Sequence, residues 1–257
     1  MKHIQSRDNP FFKQLKKLAE SGRERRKQGV TLLDGVHLIE AYEAVFGKLP
    51  NLIVGESALD AGGEVAGFVA GRDLVVLGDA LLRELSPVDT PSGLLAVVPL
   101  PKATSAVNLE KDAILLDGVQ DPGNVGTLLR TAAAAGVRQA LLGPGCAAAW
   151  SPRVLRAGQG AHFVLSIHED ADLAGFMADY QGTTAVTCLD GATSLYAATW
   201  RGPVAWVFGA EGQGVRRELI DIAALRVLIP MPGAVESLNV GAAAAVCLFE
   251  MLRRRLD

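Results

Sequence analysis

The chain has little of what usually directs a functional reading. Of its 257 residues only 5% are aromatic, three are cysteine and four are histidine. Cys146, Cys188 and Cys247 lie far apart, with no C-x-x-C pair and no histidine at ligand spacing, so they read as buried, inert thiols. His162 and His168 stand six apart, which suits neither a helical metal pair nor a short zinc loop, and no metal is expected. No apolar run is long enough to span a bilayer, and the first residues are polar and basic, not an apolar leader. A soluble, cytoplasmic protein is expected. A P-loop and a G-x-S-x-G serine elbow are also missing, which removes the commonest nucleotide-hydrolysing and serine-hydrolase chemistries.

What is present is unevenly placed. The net charge of -3 argues against a polyanionic partner, yet residues 1–30 carry nine Lys or Arg against three acids. Lys13, Lys16, Lys17, Arg25 and Arg26 fall on a stretch where Phe12, Leu15 and Leu18 recur every three residues, a helix from Asn9 to Lys27 with one apolar stripe. The cations either neutralise phosphates or form a solvated face.

Downstream, short apolar strands (31–34, 51–54, 74–77, 94–98) alternate with helical stretches (36–45, 79–85), an α/β pattern. The segment Pro99–Asn108 has two prolines and no periodicity and reads as a linker. We expect domains at 1–100 and 113–257, joined by 101–112. The second holds strands at 113–116, 139–142, 163–167, 184–189, 204–208 and 226–229 with helices between, hence a mostly parallel sheet with its ligand crevice at the C-terminal strand ends. A helix over 238–256, capped by Ser237, closes the chain and ends in Arg253, Arg254 and Arg255, which suit the negative end of its dipole.

Three strand ends carry polar residues and glycines that packing does not explain. In Leu116-Asp-Gly-Val-Gln-Asp-Pro-Gly-Asn-Val-Gly-Thr-Leu-Leu-Arg130 a turn leads into a helix bearing Asn124 and Arg130. In Val207-Phe-Gly-Ala-Glu-Gly-Gln-Gly-Val215 a strand is followed by glycines and one carboxylate, Glu211. In Ile229-Pro-Met-Pro-Gly-Ala-Val-Glu-Ser-Leu-Asn-Val-Gly241 a loop whose backbone could read an adenine edge precedes a helix start. Taken singly, each could be an ordinary cap or tight turn. A fourth stretch, Gly143-Pro-Gly-Cys-Ala-Ala148, fits G-x-G-x-x-A, but Pro152, Gly158 and Gly160 interrupt the helix a dinucleotide fold requires.

In this order and spacing the three segments resemble the motifs of the SpoU (TrmH-like) family of SPOUT RNA 2′-O-ribose methyltransferases, over roughly residues 113–257. Asn124-x-Gly126-x-x-x-Arg130 is similar to its first motif, Gly209-x-Glu211-Gly-x-Gly214 to its second, and Ile229-Pro-Met with Ser237-Leu-Asn-Val240 to its third. The N-terminal part resembles the family's smaller, ribosomal-protein-like RNA-binding domain, with Leu32-Leu-Asp-Gly-Val-His37 where a glutamate-glycine is more usual. Arg156-Ala-Gly-Gln-Gly160 keeps the family's arginine but lacks the serine many relatives carry after the alanine.

The resemblance implies a trefoil-knotted C-terminal domain and a homodimer. It implies S-adenosylmethionine as methyl donor, held by Gly209, Glu211, Gly212, Ile229, Pro230, Met231, Ser237 and Leu238, largely through the main chain. Arg130, Asn124, Glu211 and Asn239 would carry the chemistry, and Lys13, Lys16, Lys17, Arg25, Arg26 and Arg156 the RNA. The substrate implied by the two-domain layout is 23S ribosomal RNA. A transfer RNA ribose methyltransferase and an inactive RNA-binding ribosome-assembly factor are the alternatives.

Overall fold

The computed structural model describes residues 1–86, 91–101, 106–234 and 237–256. The described residues form two compact units, and the second half of the chain does not belong wholly to the second: Trp150–Phe163 packs with the first.

The first unit runs β1 (Lys2–Ile4), α1 (Pro10–Glu20), α2 (Gly22–Gln28), β2 (Val30–Asp34), α3 (Val36–Phe46), β3 (Leu52–Gly55), α4 (Glu56–Asp60), α5 (Glu64–Val69), β4 (Leu74–Leu77), α6 (Asp79–Leu85) and β5 (Leu94–Pro99). Its five strands lie in the order β1-β4-β3-β5-β2, with β5 antiparallel to both its neighbours. The single helix expected over 9–27 is two. Ser21 ends the first, and its side chain accepts the Glu24 N–H to cap the second. Phe12, Leu15 and Leu18 are buried as the spacing required. Asn9 caps α1 ahead of Pro10.

The second unit runs β6 (Ala113–Asp117), α7 (Pro122–Ala134), β7 (Gln139–Leu142), β8 (Ser166–His168), α9 (Leu173–Asp179), β9 (Thr183–Thr187), β10 (Thr193–Ser194), β11 (Val204–Gly209), α10 (Arg217–Ile222), β12 (Leu225–Leu228) and α11 (Val240–Leu256). The excursion between β7 and β8 holds α8 (Pro152–Gly158) and a short 3-10 turn, Ala161–Phe163. Leu155 from that helix enters the core formed by Leu33, Ile39, Leu52 and Val54 of the first unit, and Thr31 Oγ1 donates to the Trp150 carbonyl at 2.8 Å.

All pairings in the seven-stranded sheet are parallel, in the order β10-β12-β9-β11-β6-β7-β8. Its central strands are buried along their whole length, as continuous apolar runs covered on both faces should be. Part of the expected linker, Lys102 to Ser105, lies outside the described residues. Beyond it Val107 and Leu109 pack on the second core, and Asn108 exchanges hydrogen bonds with the Gln139 side chain.

Candidate functional site

β6, β11 and β12 end on the same edge of the parallel sheet, and the three polar segments follow them. Asp121, not Asn124, caps α7: its carboxylate accepts the Asn124 N–H at 2.8 Å. The Asn124 side chain is thereby left for tertiary contacts. Its Nδ2 donates to Glu211 Oε1 at 2.5 Å, and its Oδ1 accepts from Asn239 Nδ2 at 3.0 Å. One asparagine thus joins all three segments.

The terminal helix begins at Val240 and is capped by Asn239 instead of Ser237. Asn239 Oδ1 accepts the N–H groups of Gly241 and Ala242 at 2.9 and 3.3 Å, while Ser237 stays exposed. Asparagine is at least as good a cap as serine, so propensity alone did not separate the two. Gly241 lets this helix start lie close to α7, since a Cβ there would come within 2.8 Å of Thr127 Cγ2.

Gly209 has no room for a side chain either. A Cβ would stand 2.0 Å from the Gly214 carbonyl carbon, because the loop folds back on itself through an Ala210–Gly214 bridge. Beside this loop opens a cleft of about 750 Å³. Of the residues the resemblance assigned to the donor, Gly209, Glu211, Gly212, Ile229, Met231, Ser237 and Leu238 line it. Pro230 is exposed between two of them.

Sequence reasoning passed over another wall of the cleft, Thr187 to Asp190, together with Arg217. β9 lies between β11 and β12, so its C-terminal loop opens into the same crevice, but strand order is not readable from periodicity. Cys188 is consequently half-buried on the cleft wall, unlike Cys247, which is fully buried and whose thiol burial pushes up to about 12.

Arg130 is exposed on α7, with no carboxylate partner among the described residues. The other expected cations fare differently. Lys17 and Arg26 are exposed. Lys13 pairs with Asp8 at 2.8 Å and Lys16 with Glu84 at 3.0 Å, both on the surface. Arg25 is buried, and its Nη1 donates to the carbonyls of Leu18 and Ala19, which satisfies the C-terminal end of α1. Arg156 faces the buried Asp34 at 2.9 Å, and Ser86 and Ser92 donate to the same carboxylate.

Gly143–Ala148 forms an irregular loop with no helix behind it until Pro152, so the dinucleotide pattern lacks its structural partner. Among the described residues no cluster suited to a metal ion is found, and no helix is long and apolar enough to cross a membrane.

The profile of the SpoU rRNA methylase family matches residues 112–249. The chain belongs to the SpoU rRNA methylase family. Residues 9–96 of this SpoU protein match a second profile, the MRM3-like substrate binding domain. Over 254 residues the SpoU chain is 31% identical to the 23S rRNA (guanosine(2553)-2′-O)-methyltransferase RlmP of Bacillus subtilis, spanning 98% of this chain and 99% of that one. A solved RNA 2′-O ribose methyltransferase superposes with a TM-score of 0.86 at 29% identity, over 99% of this chain and 100% of the other. An AdoMet-bound rRNA methyltransferase from Sinorhizobium meliloti shares the fold, with a TM-score of 0.80 at 24% identity over 100% and 98% of the two chains. The architecture implied by the motifs, a parallel-sheet domain preceded by a smaller α/β substrate-binding domain, is the one found.

Proposed function

We propose that this SpoU protein transfers a methyl group from S-adenosylmethionine to a ribose 2′-hydroxyl of 23S ribosomal RNA. The observation that carries the proposal is Asn124, hydrogen-bonded at once to Glu211 and Asn239 beside the cleft. The cleft fits the donor: about 750 Å³ is ample for a nucleoside with a short tail, and Leu228, Ile229 and Leu238 offer apolar surface to a base while exposed main chain reads its edge. When bound, the donor supplies a methyl group already activated on a sulfonium.

The protein must place the 2′-oxygen in line and ease loss of its proton. A guanidinium is always protonated, so Arg130 acts as a cation and not as a base. It holds the adjacent phosphate and stabilises the developing alkoxide, with a phosphate oxygen or water taking the proton. Asn124, Glu211 and Asn239 orient substrate and donor. Lys13, Lys16, Lys17, Arg26 and Arg156 contact RNA, with Arg25 left to its structural task.

Ribosomal RNA is favoured by the family's description and by the named target of the Bacillus subtilis relative. Two arrangements accompany the proposal. α11 leaves Ala242, Phe249 and Leu256 exposed at seven-residue spacing, an apolar stripe that suits a second copy of the chain. The chain also leaves β12, beyond β9, yet its last helix packs on α7 and β11, a crossing that supports a threaded, knotted fold. A cytoplasmic location fits ribosome modification.

The test is transfer of labelled methyl to total RNA from cells lacking the gene, followed by size fractionation and nucleoside analysis. Label as 2′-O-methylribose in large ribosomal RNA is expected, with Arg130→Lys losing most turnover at unchanged donor affinity. Label in transfer RNA would overturn the substrate, and RNA binding without transfer would favour the inactive assembly factor.

A further inference from the structure

Asp117 is the last residue of β6, and the parallel ladder sets it opposite Gly209, where the cleft loop begins. Its side chain also holds the place where that loop ends. Asp117 Oδ2 accepts the backbone N–H of Arg216 at 2.8 Å, and Oδ1 accepts Arg216 Nε at 2.7 Å. One residue therefore grips both ends of the segment that carries Glu211.

Packing does not require a carboxylate here. Asp117 is 3% exposed at the end of an otherwise apolar strand, and burying an ion is costly unless its partner is well placed. The partner is half outside, with 52% of the Arg216 side chain exposed, so the pair adds little to the core. What it adds is geometry. The loop holds glycines at 209, 212 and 214, and Gly214 adopts a φ of +68°. Such a segment has much conformational freedom to lose, and ordering it at the moment of binding costs affinity. Pinning Arg216 also fixes the start of α10, where Arg217 lines the cleft with its Nε held by Asp221 at 3.0 Å.

We propose that the Asp117–Arg216 clamp is a positioning device that pre-forms the 209–217 wall of the cleft and thereby sets affinity for S-adenosylmethionine, without touching RNA. The inference rests on the cleft being the donor site. It assigns Asp117 and Arg216 a role separable from that of Arg130, Asn124 and Asn239.

Calorimetric titration of the full-length protein with S-adenosylmethionine tests it, using wild type, Arg216→Ala, Arg216→Lys and Asp117→Asn. Arg216→Ala keeps the backbone bond to Asp117 and loses only the guanidinium, a charge-assisted bond whose loss corresponds to a Kd about tenfold higher. The KM for the donor should rise in step, kcat at saturating donor should fall much less, and RNA affinity should hold. Arg216→Lys should recover part of the loss, and Asp117→Asn should resemble Arg216→Ala. Melting temperatures without donor separate this from general unfolding, and should one variant not fold, the other carries the comparison. Unchanged donor affinity in the folded variants, or a fall confined to kcat, would overturn the clamp. Failure of wild type itself to bind the donor would instead overturn the assignment of the cleft.

Discussion

Asn239 Nδ2 donates to Asn124 Oδ1 across 3.0 Å, and the two residues lie 115 positions apart in the chain. The bond belongs to a chain of donors with one direction. The Gly241 N–H donates to Asn239, Asn239 to Asn124, and Asn124 to the Glu211 carboxylate. Each bond polarises the next, and the sequence of donors ends on an anion, the arrangement in which such chains are strongest. The start of α11 is thus tied electrostatically to the loop after β11.

Reversing one donor should break this chain. Asn124→Asp would set a second carboxylate against Glu211, and we expect kcat/KM to fall roughly 100-fold, more than in Asn124→Ala. Adding Glu211→Gln should restore part of the Asn124→Asp loss, because an amide could again donate across the gap. Single-turnover methyl transfer on the four members of the cycle measures the coupling, and strict additivity would show that the two side chains act independently.

Gly209→Ala should disrupt the loop, since the new methyl would overlap the Gly214 backbone. We expect a stability loss of about 1–3 kcal/mol and no saturable donor binding. Gly212→Ala is the control for stability: a Cβ there meets no atom within 4 Å, and its melting temperature should match wild type.

The basic N-terminal region divides into structural and free cations. Lys17→Ala and Arg26→Ala should each lower the slope of log affinity for RNA against log salt by about 0.7–0.9, one phosphate contact apiece. Arg25→Met should leave that slope alone and lower the melting temperature, since it removes the bonds to Leu18 and Ala19. A salt slope altered by Arg25 and not by Lys17 would reverse the assignment.

Acid should loosen the end of the chain. Hydrogen bonds from Arg253 and Arg254 hold the Glu250 carboxyl down at about 2, from an ordinary value of 4.5. A depressed folded value means stabilisation that is present above 4.5 and lost as pH falls toward 2. Arg254 also stacks over Trp200 and donates to the carbonyls of Leu195 and Ala198, so this end of α11 is fastened to the 195–200 segment. Glu250→Gln should flatten the dependence of melting temperature on pH between about 4.5 and 2.

Periodicity located most strands and long helices, because continuous apolar runs such as 113–116 and 204–208 have no stable alternative to a covered parallel sheet. The motif residues Asn124, Glu211 and Asn239 were visible as polar groups at strand ends. Which of them touch was not, because contact depends on strand order and on Gly241 allowing two helices to meet. The Thr187–Asp190 wall and the Asp117–Arg216 clamp escaped for the same reason: each becomes functional only once β9 and β6 flank β11. Capping roles were misassigned where two good caps stood close together, as with Ser237 and Asn239.

The packing of Trp150–Phe163 with the first unit bears on how such a protein can be cut or recombined. A fragment ending near residue 101 would lack Leu155 from its core and would leave the buried Asp34 without the charge of Arg156. The complementary fragment would carry Trp150, Leu155 and Phe163 without the core cluster they pack with. A chimera that exchanges the substrate-binding half between relatives must therefore move two stretches of sequence, 1–101 and 150–163. Natural changes in target preference would face the same requirement, with substitutions in the middle of the catalytic half following those in the first hundred residues.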